Sequence, residues 1–407
     1  MLDLKPYVYT NVTYDDNLFR YASEAEAKAN GITNRSDVQK TLGAGLSANL
    51  RLSRQLLSAS VNLSENKFDR YSSLDNTGKS MSLAWNWRVG SDLYGVISAS
   101  ESESISSFSD TKDTARNLKK YTKERASINW SFMPSWTVYG TADLSDLENE
   151  RVSQKSLDRE DEAYEVGVNY NNPLGTQAGL FFRVADSQYP NRANTDVEVN
   201  LGSGIFGTVF GTYPLSEVYG SKAKNKQYGV NLAWLPTHKV RLSSRISFVD
   251  FETNVQTKAI ASGLPLPYIQ SFTIKSRDFT GVNQRWDLAY TLSSKTNVGL
   301  TAYDEISQVD SLQTLSVKNR GIGASLNWSI TSKVGFKSGF TFDKRDYQGD
   351  AGIDNNDKSI GLNLGLTYLP TNKSMIQLEY QGGKRDANIS TNDYQFNSIN
   401  FLAQYNF

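Results

Sequence analysis

Apolar and polar residues alternate one by one over much of this chain. From Thr41, "TLGAGLSANLRL" sets Leu42, Ala44, Leu46, Ala48, Leu50 and Leu52 against Gly43, Gly45, Ser47, Asn49 and Arg51. A period of two belongs to a strand with unlike faces. The pattern returns in "LLSASVNLS", "MSLAWNWRV", "RASINWSF", "YGVNLAWL", "GIGASLNWSI", "GLNLGLTYL" and the last ten residues, "SINFLAQYNF". About eighteen such segments, each roughly ten residues long where the alternation is clean, can be laid along the chain.

The connections between them alternate in length. One set is tight and built from turn formers: "LSRQL", "VGSD", "MPSW", "NNPLGT", "LPTHK", "LSSK", "ITSK" and "LPTNK". The other set is long and polar, covering 15–37, 70–78, 105–119, 189–223 and 252–276. A soluble sandwich has the same solvent at both ends and does not need this asymmetry. A membrane barrel has short periplasmic turns and long extracellular loops, and closure pairs every backbone group inside the lipid.

The pattern therefore predicts an all-β fold: a transmembrane antiparallel up-and-down β-barrel of about eighteen strands in the bacterial outer membrane, residues 1–407 forming one domain. The last strand, ending on Phe407, is expected to pair with the first, "LKPYVYTNVTY" (4–14), and seal it. A terminal aromatic preceded by alternating aromatics resembles the recognition signal of bacterial outer-membrane barrels. Trp87, Trp130, Trp136, Tyr170, Trp234, Tyr290, Trp328 and Tyr368, beside the short turns, are expected to form the periplasmic aromatic girdle.

Composition removes other classes. The 407 residues carry 43 basic and 43 acidic side chains, so no net charge argues for nucleic acid. Mean hydropathy is -0.49, and no stretch approaches the roughly eighteen apolar residues of a helical span. The absence of Cys excludes a disulfide scaffold and a Cys-ligated metal. "MLDLKPYVYT" lacks the basic and apolar regions of a signal peptide, so an exported protein is expected here in mature form with an added Met1. His238, the single histidine, falls in the "LPTHK" turn on the periplasmic side. A Ser/His hydrolase would need its imidazole near the outer rim, so neither enzyme activity nor a cofactor is expected.

The polar faces define the candidate lumen. Arg125, Arg183, Arg241, Arg245, Arg285, Lys337 and Arg345 face inward beside Asp143, Glu165, Asp287, Glu305, Asp343 and Glu379. With neither sign dominant, no single-sign ion filter is expected. An interior of this strand number is wide enough for an aqueous channel. Two apolar loop stretches, 202–215 and 259–272, are candidates for a constriction, a lid or a partner contact, and mutual packing is the plainer expectation.

The outer loops carry a series of short motifs: "YDDNLF" (14–19), "FDRYSSLD" (68–75), "SSFSD" (106–110), "DSQYPNR" (186–192) and "KRDYQGD" (344–350). In this order they resemble the EpsL-type family of outer-membrane barrels encoded with exopolysaccharide biosynthesis genes; the region 189–276 has no counterpart in that series. The resemblance implies a passive conduit for exopolysaccharide within an envelope-spanning secretion system, with partners in the periplasm and inner membrane as well as outer-membrane lipids and lipopolysaccharide. Independently, Tyr14, Phe19, Phe68, Tyr71, Phe108, Tyr189 and Tyr347 are candidate faces for sugar rings. Asp15, Asp16, Asn17, Asp69, Asp75, Asp110 and Asn191 are candidate hydroxyl acceptors, turn chemistry being the alternative. Carboxylates at the upper strand ends could also hold Ca²⁺. A general diffusion porin, or a plugged barrel with a structural role, is the second functional expectation.

Overall fold

The computed structural model describes residues 2–109, 114–204, 207–256, 258–261, 271–274, 276, 278–308, 316–348, 355–389 and 392–407. In chain order the strands are β1 (Leu2–Asp15), β2 (Asp37–Leu52), β3 (Gln55–Phe68), β4 (Asn76–Val89), β5 (Leu93–Ile105), β6 (Leu118–Met133), β7 (Trp136–Asn149), β8 (Arg159–Asn171), β9 (Gln177–Gln188), β10 (Asp196–Gly204) and β11 (Gly207–Pro214). They continue as β12 (Lys222–Thr237), β13 (Val240–Thr253), β14 (Lys258–Ala261), β15 (Ser271–Ile274), β16 (Phe279–Ser293), β17 (Thr296–Gln308), β18 (Ser316–Ser329), β19 (Val334–Gln348), β20 (Asn355–Thr371), β21 (Ser374–Ala387) and β22 (Tyr394–Asn406).

Eighteen of these form one closed antiparallel sheet, while β10–β11 and β14–β15 are small hairpins within the long loops. Closure runs through the two ends of the chain: Val8, Thr10, Val12 and Tyr14 stand opposite Tyr405, Ala403, Phe401 and Ile399. The Phe407 amide donates to the Pro6 carbonyl at 3.0 Å, and its ring meets Tyr405 edge-on at 5.2 Å. With both edges consumed, the closed sheet has no edge strand facing the lipid.

The alternation seen in the sequence resolves into two surfaces. Outward side chains form an exposed apolar belt, with Leu83, Trp85, Ile97, Ile128, Val166, Leu180, Leu300, Ile322 and Leu366 among its members. At its short-turn end, Trp130, Trp136, Tyr170, Trp234, Tyr290, Trp328 and Tyr368 are exposed. Trp87 is half-buried, because its ring lies across Gly95 on the next strand, where a Cβ would stand 2.6 Å from the indole. β-Bulges follow several girdle positions, at Trp130/Met133, Trp234/Thr237 and Tyr368/Thr371, and bend the strands into their turns.

At the opposite end the outward positions turn charged. Lys120 pairs with Glu101 at 3.2 Å, Lys226 with Glu252 at 2.6 Å and Lys344 with Asp346 at 3.2 Å. This collar ends the apolar belt on the long-loop side. A buried apolar cluster lies beyond it: Phe19, Tyr21, Phe68 and Leu74 gather at the long-loop end, with Leu18, Tyr71, Ile105 and Phe108 packed around them.

Candidate functional site: the lumen and its outer mouth

Inward positions of neighbouring strands build two adjoining cavities. One, of about 950 Å³, is lined by Arg285, Tyr303, Glu305, Lys337, Asp343 and Arg345 with Ser, Thr, Asn and Gly between them. The other, of about 840 Å³, is lined by Arg125, Tyr139, Glu165, Arg183, Arg241, Arg245 and Asp287. Arg285 borders both, so they meet along β16.

Register gathers five arginines from β6, β9, β13 and β16 on one stretch of wall with Glu165 and Asp287, and Asp143 and Glu305 beside it pair with three of them. Glu165 is the hub: Arg245 reaches it at 2.9 Å and Arg183 at 3.7 Å, and the Tyr139 hydroxyl donates to it at 2.9 Å. Asp143 takes Arg125 at 3.2 Å and Arg183 at 3.6 Å. Arg285 bridges Asp287 (3.3 Å) and Glu305 (3.7 Å). Arg241 and Lys337 line the cavities and have no ion pair among the described residues. Glu379, on the lumen face of β21, accepts from Gln377 and Gln381.

A second feature of the wall escaped the sequence reading. Several inward aromatic rings stand directly opposite a glycine on the adjacent strand: Tyr7 and Gly45, Tyr9 and Gly43, Tyr139 and Gly167, Tyr303 and Gly321, Phe396 and Gly383. A Cβ built on Gly43 would fall 2.2 Å from the Tyr9 ring, and one on Gly45 2.4 Å from Tyr7. Each ring is thus laid flat across the neighbouring strand, covering the glycine backbone. Tyr7 and Tyr9 are stacked 6.2 Å apart, their hydroxyls both held by Asn62 at 3.1 Å. The signal was present in "PYVYT" facing "GAGLS", but only the register reveals it.

The outer-loop motifs do other work than the one expected of them. Phe19 and Phe68 are 1% and 4% exposed, and Tyr71 and Phe108 meet Phe19 edge-on at 4.8 and 4.9 Å. These rings are consumed in packing a roof, which corrects their expected role as sugar platforms. Burial pushes the Tyr71 phenol above its ordinary pKa, and the hydroxyl donates to the Asn34 carbonyl. Tyr14 faces outward beside Ile399, away from the lumen. Tyr189 is buried with the Arg192 guanidinium 3.5 Å from its ring centre.

The acceptors are likewise engaged. Asp15 pairs with Arg20 at 2.8 Å and accepts the Asn17 amide. Asp16 accepts the Asn397 amide and side chain at 2.7 and 2.8 Å. Asn17 donates to the carbonyls of Tyr21 and Gln395. "YDDN" is thus a clasp across the β1–β22 seam. Asp75 accepts the Phe68 amide at 2.8 Å, Asp69 pairs with Lys40 at 2.7 Å, and Asn191 donates to Asp158 at 2.9 Å. Asp110 lies outside the described residues. No group of acidic side chains arranged to hold a metal ion occurs among the described residues, so the Ca²⁺ expectation gains no site there.

After β5 the described residues 106–109 reach across the mouth to β21. The Arg385 guanidinium on β21 donates to the Ser109 carbonyl at 3.0 Å, although β4, β3, β2, β1 and β22 separate β5 from β21 around the wall. Arg385 is anchored by Asp357 at 2.6 Å, which also takes Arg345 at 2.8 Å and the Tyr347 hydroxyl at 2.8 Å. For 202–215 and 259–272 the sequence left open a constriction, a lid or a partner contact, with mutual packing the plainer expectation. Those stretches fall largely outside the described side chains, and their described strands form the hairpins β10–β11 and β14–β15, with β10 beside β15. His238 is exposed in the short turn between β12 and β13.

Residues 275–404 match the family described as "Putative beta-barrel porin 2". No curated protein matches the chain. Among solved structures, OccK2 (OpdF) of Pseudomonas aeruginosa, in complex with glucuronate, is 8% identical with a TM-score of 0.49, covering 100% of this chain and 98% of its own. OccAB3 of Acinetobacter baumannii is 9% identical with a TM-score of 0.45, covering 100% and 99%. The ferric enterobactin receptor PfeA of Pseudomonas aeruginosa is 11% identical with a TM-score of 0.49, covering 98% and 80%. The molecule is an outer-membrane β-barrel of porin-like architecture. The closed sheet, outward apolar belt and polar lumen account for that assignment.

Proposed function

We propose that this barrel is a passive outer-membrane conduit for a secreted exopolysaccharide, with acidic, hydroxyl-rich chains as its cargo. The observation that carries the reading is the lumen wall, where flat aromatic rings, Tyr139 among them, line a surface rich in arginine. Ring faces suit the apolar faces of sugars, and the neighbouring Asn, Ser and Thr groups suit hydroxyls. Arg241 and Lys337, without carboxylate partners among the described residues, are placed for anionic groups on the passing chain. Polar groups spread along the wall hold a polymer weakly at many points, which favours movement over capture. The resemblance of the loop motifs to EpsL-type barrels points the same way, with the driving force supplied from the inner membrane.

A strain lacking the protein is expected to lose secreted polymer while small-solute uptake stays normal. Normal secretion with impaired solute uptake would instead favour a general diffusion porin. The inward loop brace favours a narrowed mouth, and a purified protein without conductance would favour a plugged structural barrel.

A further inference from the structure

We infer that the outer face of β17–β20 is a specific binding site for the phosphorylated glycolipid of the outer leaflet, lipid A. At the top of the apolar belt, Arg320, Lys344 and Lys358 stand directly opposite one another on three neighbouring strands. Like charges at facing positions of a sheet destabilise it unless a counter-charge joins them. Asp304 and Asp346 supply part of that charge, reaching Arg320 at 3.3 and 3.7 Å and Lys344 (from Asp346) at 3.2 Å. Lys318 also leans on Asp304, at 3.3 Å. Lys358 has no ion pair among the described residues; Asp386 stands opposite it on β21 but pairs with Lys384 at 2.8 Å, so that over this face five cations meet three carboxylates.

Directly below lies a groove of about 510 Å³ on the lipid-facing surface, with Asp304, Arg320 and Lys344 at its charged margin. Ala302 forms its floor between Trp286 and Ile322, which stand opposite it on either side. Phe342 continues the wall, itself opposite Ile322. An acyl chain fits such a slot, and the phosphate of the same lipid then meets the three facing cations. The long loops put this margin in the outer leaflet.

General attraction to an anionic membrane surface does not explain the arrangement, because another sector of the same margin is acidic. On β7–β9, Asp146 faces Glu160, and Glu162 faces Asp186. The collar is therefore polarised, and the cationic row is local.

The test uses the full-length barrel in detergent, titrated with lipid A and with the same lipid stripped of phosphate, reading melting temperature and lipid retained after detergent exchange. Wild type is expected to retain lipid A and to be stabilised by it, but not by the dephosphorylated lipid. Each cation removed in the series Arg320→Gln, Lys344→Gln, Lys358→Gln is expected to weaken binding roughly fivefold, and Ala302→Trp should weaken it by filling the groove. Lys120→Gln, in another sector, should leave it unchanged. Equal stabilisation by the dephosphorylated lipid, or undiminished retention in the triple variant, would overturn the proposal. If the triple variant does not fold, Lys358→Gln alone decides, since its ammonium is in no ion pair that the change would break: a loss of affinity supports the site and an unchanged affinity refutes it.

Discussion

At the residue scale, the aromatic–glycine pairs are where chemistry and fold meet. Gly43 has room for no side chain beneath Tyr9, so Gly43→Val is expected to cost about 1–3 kcal/mol through displacement of the ring, measured as lost resistance to urea in detergent. Tyr9→Ala keeps the glycine but removes the platform. It is expected to weaken block of the channel by polymer roughly fivefold without reducing open conductance. Asn17 makes its bonds at the closing seam to Tyr21 and Gln395, so Asn17→Ala is expected to destabilise the barrel by about 2 kcal/mol, read from its melting temperature. The loop residues illustrate what a sequence conceals: Asp and Asn after a strand look alike whether they hold a sugar or clasp the backbone. Only the position of Asn397, 381 residues from Asp16 along the chain, separates the two.

At the scale of elements, strands and turns were legible because lipid outside and water inside force a strict period of two. The inward direction of individual charges followed from the same parity. Which charges meet did not, since Glu165 and Arg245 are 80 residues apart and come together across β9 and β12 only when the wall curves. The loops were legible in length but not in path. The brace between Arg385 and Ser109 depends on Asp357, whose side chain is fully buried between two guanidinium groups. Asp357→Ala is expected to destabilise this end by about 3 kcal/mol and to loosen the Arg385 contact with Ser109. The observable is a noisier, larger single-channel current; a current identical to wild type would assign the brace no part in the mouth.

At the scale of the whole molecule, neutrality conceals a division of labour. The 43 basic and 43 acidic side chains cancel, yet arginines gather on one part of the lumen and the outer collar holds a cationic row and an acidic sector. A lumen of this kind is expected to prefer anions, and Arg241→Gln combined with Lys337→Gln should lower the anion-to-cation permeability ratio by about twofold, measured from reversal potentials in a salt gradient. The most direct test of the account is single-channel conductance of the purified barrel in a planar bilayer, with an acidic polysaccharide and a neutral one of equal length added in turn. A stable, anion-selective conductance blocked more strongly by the acidic chain is the predicted result. Absence of conductance, or a current that neither polymer alters, would contradict it.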